Sequence, residues 1–111
     1  MSLNEAFRQA WQRFLSAGED TKSYQLSELM NLIELACAIH LENSLFGASN
    51  ELIKEYLADV LRLLIKDTYT RTEIPTLLQG PKTFIYIKKF LKAKRDNLSV
   101  TIPLEWYERA K

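Results

Sequence analysis

Between Leu29 and Leu41 only Asn31, Glu34 and His40 are polar. A helix over about Tyr24–Leu45 that is apolar on nearly every side cannot lie at a surface. It has to run through the middle of a fold and be covered by neighbours. At about 100° per residue, Glu28, Asn31, Glu34, Ala38 and Glu42 fall on one narrow strip, read as the solvent-exposed edge of this central helix. A chain of 111 residues that is 47% apolar can build one core around such a helix, so residues 1–111 are expected to form a single domain.

The segments on either side supply the cover. Leu3, Phe7, Ala10, Trp11, Phe14 and Leu15 recur at three-and-four spacing, predicting a helix over Leu3–Ala17, with a Ser2/Glu5 capping box and Gly18 as the stop. Gly18–Lys22 reads as a polar turn. A third helix is expected over Asn50–Lys66, capped by Ser49 or Asn50. Its stripe is Ile53, Tyr56, Leu57, Val60, Leu61, Leu64 and Ile65, opposite a charged face of Lys54, Glu55, Asp59, Arg62 and Lys66. Short turns between amphipathic helices favour antiparallel neighbours.

Beyond Lys66 the periodicity weakens. Asp67–Thr72 is polar and β-branched and reads as a loop; Thr72 then caps a short helix, Glu73–Gln79, whose first turn accepts Pro75. Gly80-Pro81 breaks the chain, and a basic helix is expected over Pro81–Arg95, with Phe84, Ile87, Phe90 and Leu91 inside. Asn97–Pro103 alternates with period two and has no second strand to pair with, and Pro103 starts a terminal helical turn. The fold class is therefore all-α: a compact bundle of four to five helices with a short extended C-terminal segment and a terminal helical turn. In the tail, 97–111, Val100, Ile102, Trp106 and Tyr107 are large apolar groups that should be buried, by default in a groove beside helices one and five of the same chain, or else against a second copy of the chain.

Composition removes several function classes. No apolar run reaches the ~18 residues of a membrane span. Met1–Glu5 lacks the basic n-region and apolar h-region of a secretory signal, and the single cysteine fits a reducing compartment, so a cytoplasmic protein is expected. One histidine and one cysteine exclude the usual Cys/His zinc sets, and the three glycines are isolated at 18, 47 and 80, so there is no phosphate loop. Glu28, Glu34 and Glu42 lack the Glu-x-x-His partners of a di-metal bundle. Cys37 and His40 share a helix at i,i+3, but the wheel turns His40 toward the core, where a thiol is inert. No catalytic residue, metal or cofactor is therefore assigned, and the chain reads as a non-enzyme.

Charge is asymmetric. Residues 1–80 hold seven Lys/Arg and eleven Asp/Glu (−4), and residues 81–111 hold eight and three (+5). The capped short helix, Gly80 break and basic helix of 71–95 resemble the outline of a helix-turn-helix. That resemblance implies DNA or RNA contact through Lys82, Lys88, Lys89, Lys92 and Arg95 on an exposed face. Thr76 and Tyr86 stand where the motif carries a small and a β-branched residue, so nucleic-acid binding ranks second. The leading expectation is a protein-interaction or regulatory adaptor domain whose partner is another protein or a second copy as a homodimer, engaged through Val100, Ile102, Trp106 and Tyr107.

Overall fold

The computed structural model describes residues 3–42 and 48–109. Among these it holds six helices and no strand: α1 Leu3–Ser16, α2 Glu19–Leu41, α3 Ala48–Lys66, α4 Thr68–Leu77, α5 Ile85–Ala93 and α6 Leu104–Arg109. The all-α expectation holds, with five substantial helices and one terminal turn. The long α2 is central, packed by α1, α3 and α5; α4 lies against α3, and α6 against α4 and α5.

The first turn of α2 begins earlier than the polar turn Gly18–Lys22 allowed. Gly18 is the N-cap, and Glu19 and Asp20 follow it in the helix. Two acidic residues there complement the positive end of the helix dipole, which outweighs their turn-like composition. Ser2 and residues 43–47 lie outside the described residues. Asn50 is not a cap, since α3 already runs from Ala48; its Oδ1 accepts a 2.8 Å hydrogen bond from His40 Nδ1.

The segment expected to be a loop is helical. Asp67 is the only residue between α3 and α4, and its carboxylate accepts from the Thr70 amide at 2.9 Å. Thr70, fully buried, turns its hydroxyl onto the Leu64 carbonyl. Thr70 with Asp67 thus satisfies the end of α3 and the start of α4, and Thr72 lies within the helix and not at its cap. Pro75 sits inside α4, where a proline has no N–H to give the carbonyl four residues back. That carbonyl belongs to Arg71, and the indole Nε1–H of Trp106 donates to it at 3.1 Å.

Helix α5 is also shorter than Pro81–Arg95. Gly80 at φ 104° and Phe84 at φ 47° take left-handed conformations, and Thr83 Oγ1 donates to the Gln79 carbonyl at 2.7 Å, holding residues 80–84 as turns. Phe84 occupies the N-cap position with no side-chain acceptor to offer. The carboxylate of Glu34, on α2, supplies it: the amides of Tyr86 and Ile87 donate to its two oxygens at 3.0 and 2.8 Å. The C-terminal part of the strip read as the open edge of α2 is therefore where α5 docks, with Glu42 accepting from the Tyr86 hydroxyl, while Asn31 is exposed as expected. The tail crosses the bundle without pairing, and Arg62 donates to the Ser99 carbonyl at 3.1 Å. It buries Ile102 and Trp106. Its groove is formed with α4 and α5, not α1. The interior closes to a void of about 10 Å³ lined only by apolar surface, among it Met30, Leu64, Ile74 and Trp106, with no polar partner for a water.

Candidate functional site: an apolar groove between α1 and α3

Nine apolar side chains of α3 span an arc of roughly 220° at 100° per residue, more than twice the width one buried face needs. One end of the arc, through Leu57, Leu61 and Leu64, is in the core. The other end, Leu52, Leu63 and Tyr56, meets the matching edge of α1. There Phe7 and Trp11 stack at 6.3 Å, and Phe7 sets its ring edge-on to Tyr56 at 6.3 Å. Both helices pack on α2, and the space left between them is a groove of about 530 Å³. Phe7 and Val60 are buried in its floor; Trp11, Tyr56, Leu52 and Leu63 line the walls. Leu52 is 69% exposed and Leu63 37% exposed, and both face this groove.

Polar and charged groups rim the groove unevenly. Arg8 and Asn4 stand on the α1 side, Glu55 and Asp59 on the α3 side. Arg62 Nη1 pairs with Asp59 at 2.8 Å, but its Nη2 is drawn toward Ser99 on the tail. Lys54 lies 3.5 Å from Glu51. Burial pushes the Tyr56 phenol up to about 12, so the wall presents it as a neutral hydroxyl across the physiological range.

The residues singled out from the sequence lie elsewhere. Trp106 is 1% exposed and Ile102 is buried in the chain's own core; Val100 and Tyr107 are half-buried, with the Arg95 guanidinium 4.3 Å over the Tyr107 ring. Of the basic set, Lys82, Lys89, Lys92 and Arg95 are exposed. Lys88 is not: at 6% exposure its ammonium donates to the Gly80 carbonyl and holds the turn before α5, which corrects its placement on an outer face. Lys89 lies over the Tyr86 ring at 5.3 Å. The helix-turn-helix outline fails in detail as well, because its first helix ends at Leu77 and its second begins only at Ile85.

Cys37 and His40 are both buried. His40 is held by Asn50 and lies edge-on to Phe90 at 5.7 Å. Burial, with the Glu34 charge adding to it, raises the Cys37 thiol well above its ordinary value, the opposite of what a nucleophile needs. Among the described residues no group of three or more His, Cys, Asp or Glu is placed to hold a metal ion, and no helix is long and apolar enough to cross a membrane. Protein-family models, curated proteins and solved structures were each compared with the chain, and none matches. Fold and site together define a class, a compact helical bundle with an open apolar groove.

The groove was missed in the sequence because the stripe assigned to α3 left out Leu52 and Leu63. The signal that could have found it is the width of the apolar arc, which exceeds what one packed face consumes.

Proposed function

We propose that the chain is a non-enzymatic protein-interaction domain that docks a partner in the α1–α3 groove. The observation that carries this reading is the convergence of Leu52, Leu63, Tyr56, Trp11 and Phe7 on one concave surface. Single exposed leucines are ordinary, whereas aromatics and leucines gathered in one cleft with a polar rim have the composition of an interface centre. The lone, buried thiol supports a reducing, cytoplasmic setting.

The test compares the wild type with Leu52→Asp/Leu63→Asp as baits for proteins of the native host, with melting curves to confirm that both are folded. The reading expects a partner retained by the wild type and lost by the variant. A partner held equally by both contradicts it. Nucleic-acid binding through Lys82, Lys89, Lys92 and Arg95 has no observation of comparable weight behind it, since Lys88 faces inward and Arg95 is stacked on Tyr107.

A further inference from the structure

We infer that the occupant of this groove is an amphipathic helix of another protein, carrying Lys or Arg along the edge that lies against α3. The inference rests on the reading of the groove as a docking site. The lining of α3 runs from Leu52 to Leu63, about 16 Å at 1.5 Å per residue, which matches roughly three turns of a partner helix. An extended peptide fits poorly. Among the described residues there is no strand edge to pair with, so its amides and carbonyls would face an apolar wall, whereas a helix satisfies its own.

The rim sets the charge. Glu55 and Asp59 line the α3 side at i and i+4, and the cation nearest Asp59, Arg62, also binds the tail. A basic flank meets these acids, and a single acidic residue on the other flank meets Arg8. A second copy of the chain is the poorer occupant. Among the described residues, only Leu52 and Leu63 of the exposed large apolar side chains line the groove, and the others, Leu15, Tyr24, Leu35, Ile85 and Leu104, are spread over four helices. The basic helix α5 has its apolar face buried against α2, so it cannot offer the complementary surface. Pairing α3 with its own copy would set Glu55 and Asp59 close to the same acids.

The experiment uses two synthetic peptides of about 18 residues, long enough to be helical when docked. They share one leucine face; one carries Lys on both flanks and the other Glu, so that neither gains by docking in reverse. Trp11 in the groove wall reports binding by its emission, with Trp106 buried elsewhere as a constant background. The Lys-flanked peptide should bind about tenfold more tightly than the Glu-flanked one. Glu55→Lys/Asp59→Lys should reverse the order, Glu105→Lys/Glu108→Lys should not, and Leu52→Asp/Leu63→Asp should bind neither. Equal affinity of the two peptides, or a reversal by the Glu105/Glu108 pair as well, would overturn the charge assignment and leave the groove standing. Failure of the wild type to bind either peptide would overturn the groove reading and this inference with it. Concentration-dependent dimers abolished by Leu52→Asp/Leu63→Asp would show that the occupant is a second copy.

Discussion

The α1–α3 side of the molecule and the α4–α5–tail side are held by different chemistry. On the second side polar groups reach across the sequence to finish one another's backbone. Glu34 caps α5, Trp106 takes the Arg71 carbonyl that Pro75 leaves without a donor, Lys88 ties down Gly80, and Arg62 holds Ser99. That side is closed around Ile87, Phe90, Leu91, Ile102 and Trp106, and the large apolar residues it leaves exposed, Ile85 and Leu104, stand on different helices. On the first side contacts are made by rings and aliphatic chains, and the apolar supply of α3 exceeds what α2 can cover. Conspicuous residues in irregular segments thus serve the fold, while the apolar surplus of the most regular helix stays uncovered, which is why the proposed docking site is placed there.

The largest effect should come from removing the closing residue of the polar side. Trp106→Ala should cost about 3–5 kcal/mol in urea unfolding, because it empties a fully buried site and orphans the Arg71 carbonyl. Trp106→Phe separates the two terms, and most of the loss should return if volume dominates. A cost below about 1 kcal/mol for the alanine variant would mean that the tail is not part of the core and would break the contrast.

Next in size, Glu34→Ala should destabilise by about 1–2 kcal/mol by withdrawing the acceptor from two amides of α5. Glu34→Gln, which keeps a carbonyl oxygen, should lose less. Amide hydrogen exchange sharpens this: the protection lost should be concentrated in Ile85–Ala93, and uniform loss would show that Glu34 acts on packing instead of on the cap.

A smaller effect is expected at high pH on the open side. The Tyr56 phenol is raised to about 12 in the folded chain against 10 when unfolded, so above pH 10 the unfolded state sheds its proton first. Stability should be fully present below pH 10 and fall as pH rises toward 12. Tyr56→Phe should flatten that fall. An unchanged profile would mean that the ring is better solvated than the groove geometry implies.

Legibility followed the same division. Helices α1, α2 and α3 were readable because apolar residues at three-and-four spacing report a buried face directly, as with Phe7, Trp11 and Phe14 or Leu57, Leu61 and Leu64. The first half of α4 was hidden because Thr68, Thr70 and Thr72 carry low helix propensity and Pro75 reads as a helix start; what overrides them, Asp67 beneath Thr70 and Trp106 against Arg71, is partly 35 residues distant. The start of α5 depends likewise on a carboxylate 52 residues away. Trp106 was legible as a residue that must be buried, with its own chain the default, but not as one that packs against α4 and closes its Arg71 carbonyl. Leu52 and Leu63 sit beside the apolar stripe and look like its margin. The width of the apolar arc marks them as surplus, and the places of the other helices show that the surplus faces α1.

An apolar surplus left open to solvent is not needed for folding. The most direct measurement is the urea-unfolding free energy of Leu52→Asp, at the most exposed of the groove leucines. The value should lie within about 0.5 kcal/mol of the wild type, as for a surface substitution. A loss of more than about 2 kcal/mol would place Leu52 in the core and contradict it.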